Sequence, residues 1–170
     1  MRCFVATFLA PESARRLRSA ALAGAGGLLR GPDARQVPLE NYHVTLQFLG
    51  EVGEDALPEA LEAVASLAAH GVVARVTGLI GLPRAGAARL LAAEMAPQPD
   101  LHAWWTALQA RLGAEERPFR PHVTVLRLRR SRAFAPAALP EPVTVELEPP
   151  RLYRSDGGPD GVRYRPVSLG

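Results

Sequence analysis

The sequence predicts an α+β fold organised as two related lobes that face each other, and three observations carry that expectation. The phrase His, apolar, Thr, apolar occurs twice, as His43-Val44-Thr45-Leu46 and as His122-Val123-Thr124-Val125. Each copy is preceded by a helical stretch and a proline-containing loop, so the order helix, loop, histidine strand repeats along the chain. Two further pairs of apolar runs are joined by turn-rich segments and read as hairpins.

Composition bounds the answer. A chain of 170 residues, 48% of them hydrophobic and with no low-complexity tract, fills one domain, residues 1–170, or two small lobes sharing a core. The apolar start, Met1 to Ala10, is cut short by Pro11 and Glu12, and no stretch approaches the ~20 apolar residues of a membrane span. A cytoplasmic protein with no membrane association and no obligate protein partner is expected. Cys3 is the sole cysteine, which removes internal disulfides and thiolate metal clusters and leaves core packing as its role. All 20 basic residues are arginine, so a Walker-type lysine, a Schiff base and an adenylated lysine are excluded. The net charge is only +3, but six arginines and no acid lie between Arg117 and Arg132, around the second histidine phrase. Such a run beside paired histidines suits an anionic substrate.

In chain order, Arg2 to Leu9 reads as a buried strand. Pro11 and Glu12 are placed to start a helix, and Ala14 to Arg30 is helical in composition, weakened by Gly24, Gly26 and Gly27. Arg35 to Val37 is a short strand, Pro38 to Tyr42 a loop, and His43 to Leu49 the first histidine strand. Gly50 to Asp55 turns into a helix over Ala56 to Ala69, with Leu57, Leu61, Val64 and Leu67 at helical spacing. Strands at Val72–Leu82 and Ala88–Glu94 flank the turn at Pro83 to Ala87. A third helix spans Asp100 to Leu112, with Trp104, Leu108 and Leu112 on one stripe and Trp105 beside them. The second histidine strand runs from His122 to about Arg129. Ser131 to Pro142 is proline-rich and expected to be irregular. Val143–Tyr153 and Val162–Leu169 are expected to close the chain as strands joined through the Gly and Asp of Ser155 to Gly161.

On a strand, alternate side chains share a face, so His43 and Thr45 project together, as do His122 and Thr124. Two histidines without a nearby carboxylate or thiol fall short of a catalytic zinc set, and no Gly-x-Ser-x-Gly elbow is present. General acid-base catalysis at phosphorus fits the pair. One group must take a proton from the entering nucleophile and another must give one to the leaving oxygen, and imidazole occupies either state near neutrality. The threonine hydroxyls are suited to the non-bridging oxygens. Phe48 holds the place in the first phrase that Arg127 holds in the second; its expected role is core packing, with base stacking as the lesser alternative. Strict alternation puts Arg127 on the face opposite His122. Tyr153 and Arg154 are candidates to line the cleft. His70 and His102 lack a threonine partner and are read as surface residues.

His-x-Thr repeated on equivalent strands resembles the signature of the two-histidine phosphoesterase superfamily. The stretches Met1 to Ala10, Glu40 to Gly50, Arg117 to Thr124 and Leu152-Tyr153-Arg154-Ser155 look like the bacterial and archaeal RNA 2',3'-cyclic phosphodiesterases, historically called 2'-5' RNA ligases. The resemblance implies two pseudo-symmetric lobes of antiparallel sheet with outer helices around a central cleft. It implies metal- and cofactor-free hydrolysis of RNA-terminal 2',3'-cyclic phosphate, or of small cyclic nucleotides, to a 2'-phosphate. His43 and His122 match the catalytic positions, with His43 as acid and His122 as base by analogy. Thr45, Thr124 and Arg127 match the phosphate-binding positions, a role for which Arg127 needs a bulge or twist to bring it round to the face of His122, and Phe48, Arg120, Tyr153 and Arg154 are possible substrate contacts. Gln47, where many members have lysine, Tyr42, where leucine is common, and Ala92, where an aromatic residue often lies, depart from the pattern. The alternatives are ATP-independent 2'-5' ligation at the same site and a non-catalytic nucleotide- or RNA-binding module, though a binder has no need of two proton-transfer groups.

Overall fold

Nine strands and three α-helices account for the regular structure in a computed structural model, which describes residues 1–27 and 31–168. The strands are β1 (Arg2–Phe8), β2 (Ala34–Gln36), β3 (His43–Glu51), β4 (Val72–Leu82), β5 (Ala88–Met95), β6 (His122–Arg132), β7 (Ala137–Leu147), β8 (Arg151–Gly158) and β9 (Gly161–Pro166); the helices are α1 (Pro11–Ala25), α2 (Leu57–Ala65) and α3 (Pro99–Leu112). They form a four-stranded sheet ordered β3-β1-β8-β9 and a five-stranded sheet ordered β2-β6-β5-β4-β7. Every pairing is antiparallel. The α+β class and the paired antiparallel sheets agree with the expectation from sequence.

One continuous apolar core joins the sheets, with Val5, Val44, Leu91, Val123 and Leu152 all buried in it. Cys3 is free and buried among them. The helices are exchanged between the sheets. Helix α1 leads toward β3 yet packs on β7 and β4 of the five-stranded sheet; Ser13 Oγ accepts from the Glu146 amide at 2.8 Å and an Arg16 guanidinium N–H donates to the Thr144 carbonyl at 3.0 Å. Helix α3 leads toward β6 yet packs on β3, where Gln47 Nε2 donates to the Gly113 carbonyl at 2.8 Å. Among the described residues no helix is long and apolar enough to cross a membrane.

Several boundaries differ from those read in the sequence. Helix α1 starts at Pro11, as proline in a first turn allows, and stops before Gly26, whose φ of 58° ends it. The expected continuation through Leu28 to Arg30 lies outside the described residues, as does Leu169. Helix α2 ends at Ala65, because Ser66 turns its hydroxyl back onto the Ala63 carbonyl at 2.7 Å.

The segment Ser131 to Pro142 is not irregular throughout: β6 continues to Arg132 and β7 begins at Ala137. Ala138 pairs with Gly78 and Val143 with Val76, so Leu139 to Pro142 bulge from the ladder across a single intervening residue. An edge strand with a bulge is where Pro140 and Pro142 fit without losing ladder hydrogen bonds. Gly78 is needed opposite, since a Cβ there would lie 2.9 Å from the Ala137 carbonyl oxygen.

The expected strand Val143–Tyr153 is two strands in different sheets, separated at Glu148 to Pro150. The crossing is held where the Glu148 amide donates to the Phe8 carbonyl at 2.8 Å. The last strand pair closes tightly, with β8 running to Gly158 and β9 starting at Gly161, whose φ is 109°.

Replacing Leu17, which is fully buried on α1, by alanine should lower stability by about 2–5 kcal/mol. Urea unfolding followed by circular dichroism would measure it, and a loss below about 0.5 kcal/mol would contradict the packing of α1 on the second sheet.

Candidate active site

The two histidine strands carry the same irregularity at the same place. Along β1 and β3, Phe8 pairs with His43, Ala6 with Thr45, Val5 with Gln47 and Phe4 with Phe48, with a register shift that leaves Leu46 unpaired. Along β5 and β6, Glu94 pairs with His122, Ala92 with Thr124, Leu91 with Leu126 and Leu90 with Arg127, with a shift that leaves Val125 unpaired. Cross-strand partners point to one face. His43, Thr45 and Phe48 therefore share a face, and so do His122, Thr124 and Arg127. Burial follows the inversion: Val44, Leu46 and Gln47 are buried and Phe48 is exposed, while Val123, Val125 and Leu126 are buried and Arg127 is exposed. The bulge required to bring Arg127 beside His122 is present. Opposite each threonine stands an alanine, Ala6 or Ala92, both fully buried; a larger side chain there would compete for the space over the hydroxyl.

Each imidazole is tethered in the same way. His43 Nδ1 lies 2.7 Å from the Asn41 carbonyl oxygen, and His122 Nδ1 lies 2.7 Å from that of Arg120. A carbonyl only accepts, so Nδ1 carries the proton and donates, and Nε2 is left as the working nitrogen. The positive charges of His122 and Arg127 both act on His43, which puts the two motifs within electrostatic reach across the cleft.

The chain is similar to known proteins in sequence and in fold. A family model described as LigT like phosphoesterase matches residues 9–85. A Thermus thermophilus protein named RNA 2',3'-cyclic phosphodiesterase is 34% identical over an alignment spanning 96% of this chain and 86% of that protein. The chain belongs to the LigT-like, two-histidine phosphoesterase family.

Solved structures share the fold. TT0787 of Thermus thermophilus superposes with a TM-score of 0.75 at 24% identity, over 99% of this chain and 96% of that one. LigT of E. coli complexed with 3'-AMP gives a TM-score of 0.77 at 23% identity, over 98% and 95%.

Within the phosphoesterase cleft the two histidines have different surroundings. His43 sits among aromatic rings: Phe8 at 4.9 Å, Tyr164 at 5.1 Å and Phe4 at 5.3 Å between ring centroids. Burial pushes its imidazole down to about 4; the Asn41 carbonyl opposes the shift, and the charges of His122 and Arg127 add to it. His122 has a carboxylate as cross-strand neighbour, Glu94, which is itself paired with Arg120 Nε. Its imidazole is also pushed down, first by burial and then by the Arg120 guanidinium, against the Arg120 carbonyl and Glu94.

The other residues singled out from sequence are distributed over several places. Phe48 is not a core residue: it is 64% exposed on the cleft face, 6.3 Å from Phe4. Tyr153 lies on that face too, stacked with Phe4, and with Phe8 and Tyr164 it walls a cavity of about 440 Å³ whose lining includes Leu39, Glu40 and Arg15. Arg154 is on the opposite face of β8, since it pairs with Cys3 whereas Tyr153 pairs with Phe4; its guanidinium is engaged with Asp156. Gln47 faces the core and holds the end of α3. Tyr42 is buried, with the Arg18 guanidinium 5.8 Å from its ring. His70 and His102 are exposed. Trp104 is buried on α3, and Trp105 stacks on Phe119. Among the described residues no group of three or more His, Cys, Asp or Glu side chains is placed to hold a metal ion.

Of the aromatic wall only Tyr153 was singled out from sequence; Phe4, Phe8 and Tyr164, and Glu94 in the other lobe, were not. Phe4, Ala6 and Phe8 alternate along β1, but only the pairing with β3 reveals that this alternate face carries His43.

Both native imidazoles bind protons less tightly than free histidine, near ~6.5. The unfolded chain therefore takes up more protons below that value. The stability these groups contribute is intact above about pH 6.5 and is lost as pH falls through about 4 for His43. The urea midpoint should fall between pH 7 and 4, and His43→Phe, which suits the aromatic surroundings, should flatten that dependence. An identical pH dependence in both proteins would contradict a neutral, desolvated His43.

Proposed function

We propose that the chain, acting as one bilobal unit over residues 1–170, hydrolyses RNA-terminal 2',3'-cyclic phosphate, or small cyclic nucleotides, to the 2'-phosphomonoester. His43 and His122 serve as the proton-transfer pair, Thr45 and Thr124 hydrogen-bond the non-bridging oxygens, and Arg127 pairs with the phosphate charge. The observation that carries this reading is the duplicated geometry, in which each Nδ1 is spent on a carbonyl two residues back. A structural histidine needs only one such bond; two identical tethers on facing strands hold two Nε2 atoms ready for one substrate. The name of the Thermus relative, RNA 2',3'-cyclic phosphodiesterase, and the 3'-AMP held by LigT support a ribonucleotide phosphate in the cleft. Phe48 and Tyr153 offer exposed or cavity-lining rings to a base, and Arg120 acts through Glu94 and the His122 tether.

The reaction balances with these groups alone. Water adds to phosphorus while one neutral imidazole takes its proton. The bond from phosphorus to O3' breaks, and the other imidazole, protonated, supplies the proton that makes the 3'-hydroxyl. The two histidines then stand in exchanged protonation states and reset through solvent. By family analogy His122 is the base and His43 the acid. In the resting cleft His43 is neutral at pH 7, so its role as acid requires the incoming phosphate anion to raise its proton affinity. This predicts bell-shaped profiles in which the optimum of kcat lies at higher pH than that of kcat/KM. Coincident optima would contradict a phosphate-raised His43.

His43→Ala and His122→Ala should each lower kcat on a cyclic-phosphate oligonucleotide on the order of a hundredfold or more with the fold retained. Turnover should persist in chelator and without ATP, and with no lysine in the chain no adenylate should remain on the denatured protein. Near-normal rates in either folded variant, or strict dependence on ATP or a divalent metal, would overturn the reading.

A further inference from the structure

The three-residue strand β2 places a second arginine beside the site. Arg35 pairs across the ladder with Arg127, so it shares the face that the bulge at Val125 turns toward the histidines. Its guanidinium does not follow Arg127. A Cβ on Gly161 would lie 2.8 Å from Arg35 Nη2, which means that Arg35 reaches across from the five-stranded sheet to the first residue of β9 in the other sheet. Gly161 is suited to this contact twice over, by its φ of 109° and by the space it leaves.

The place Arg35 reaches is the His43 end of the cleft. Asn41 Nδ2 donates to the Val162 carbonyl at 3.0 Å, and the Asn41 carbonyl is the acceptor that fixes His43. Arg35 and Arg127 are both exposed, and, like most of the described arginines, neither forms an ion pair among the described residues. Two uncompensated guanidiniums start from directly paired positions and diverge, one staying near the histidines and the other toward β9. A single phosphodiester anion carries one charge and does not require both.

We propose that Arg35 binds a second phosphate, the 5'-phosphodiester of the nucleotide whose 2',3'-cyclic phosphate lies at Arg127 and the histidines. This rests on the reading of the site given above and deepens it: the cleft is matched to the end of an oligonucleotide rather than to a lone cyclic nucleoside phosphate.

The test compares a nucleoside 2',3'-cyclic phosphate with the same compound carrying a 5'-phosphate, in wild type, Arg35→Gln and Arg35→Lys. Wild type should show a lower KM for the 5'-phosphorylated compound. Arg35→Gln should raise that KM by roughly ten- to a hundredfold, as expected for a lost charge-assisted contact, and should raise it far more than the KM of the lone cyclic compound. Arg35→Lys should recover part of the loss, and the salt dependence of binding should weaken with Arg35→Gln. Equal KM values in wild type, or equal effects of Arg35→Gln on both substrates together with a lowered Tm, would make Arg35 a strut between the sheets and overturn the proposal. Failure of wild type to turn over either compound would overturn the phosphodiesterase reading itself, a different result from equal turnover of both.

Discussion

A strand presents residues two apart to one face, which accounts for a histidine and a threonine but not for a third group five positions after the histidine. That group reaches the same face only if the strand takes in one extra residue. Both histidine strands do so, at Leu46 and at Val125, while β1 and β5 stay in step. The inversion keeps the core filled, because the residues after the extra one, Gln47 and Leu126, become buried in their turn. What it yields differs between the lobes. One bulge delivers an aromatic ring, Phe48, and the other delivers a cation, Arg127. A symmetric backbone device thus produces an asymmetric cleft.

The asymmetry extends to the histidines themselves. His43 lies against Phe4, Phe8 and Tyr164, and His122 lies against Glu94. Desolvation and nearby positive charge both disfavour the imidazolium at His43, so the resting cleft keeps a neutral ring in a positive field. In the proposed reaction an entering phosphate acts on the second effect only: its negative charge offsets Arg127 and favours the protonated ring, while the aromatic burial remains.

The histidine strands, the β4–β5 hairpin and the tight closing turn were legible because their signals are local: alternation, proline approaches and glycine at positive φ. The parts that were not legible depend on partners far away in the chain. Leu139 to Pro142 reads as irregular until β4 is seen to hold the residues on either side of it. Val143 to Tyr153 reads as one apolar run, and only Pro149 and Pro150 hint that the chain leaves one sheet for the other. The faces of Phe48 and Arg154 follow from register with β1, which no local pattern encodes. Arg127 was the informative case: strict alternation argued against it, and the conflict itself pointed to a bulge. Arg35 lacked any signal at all, since its significance comes from the one strand it pairs with and the one glycine it touches.

The exchange of helices has a consequence for how the site comes into being. Helix α1, made early, covers the sheet that carries His122, and α3, made late, ends on the strand that carries His43. Each sheet thus takes a covering helix from the segment that leads into the other sheet's histidine strand, and each also takes strands from both halves of the chain, so neither is complete until strands beyond the second motif are made. A chain cut after the second motif would carry both histidines and complete neither sheet.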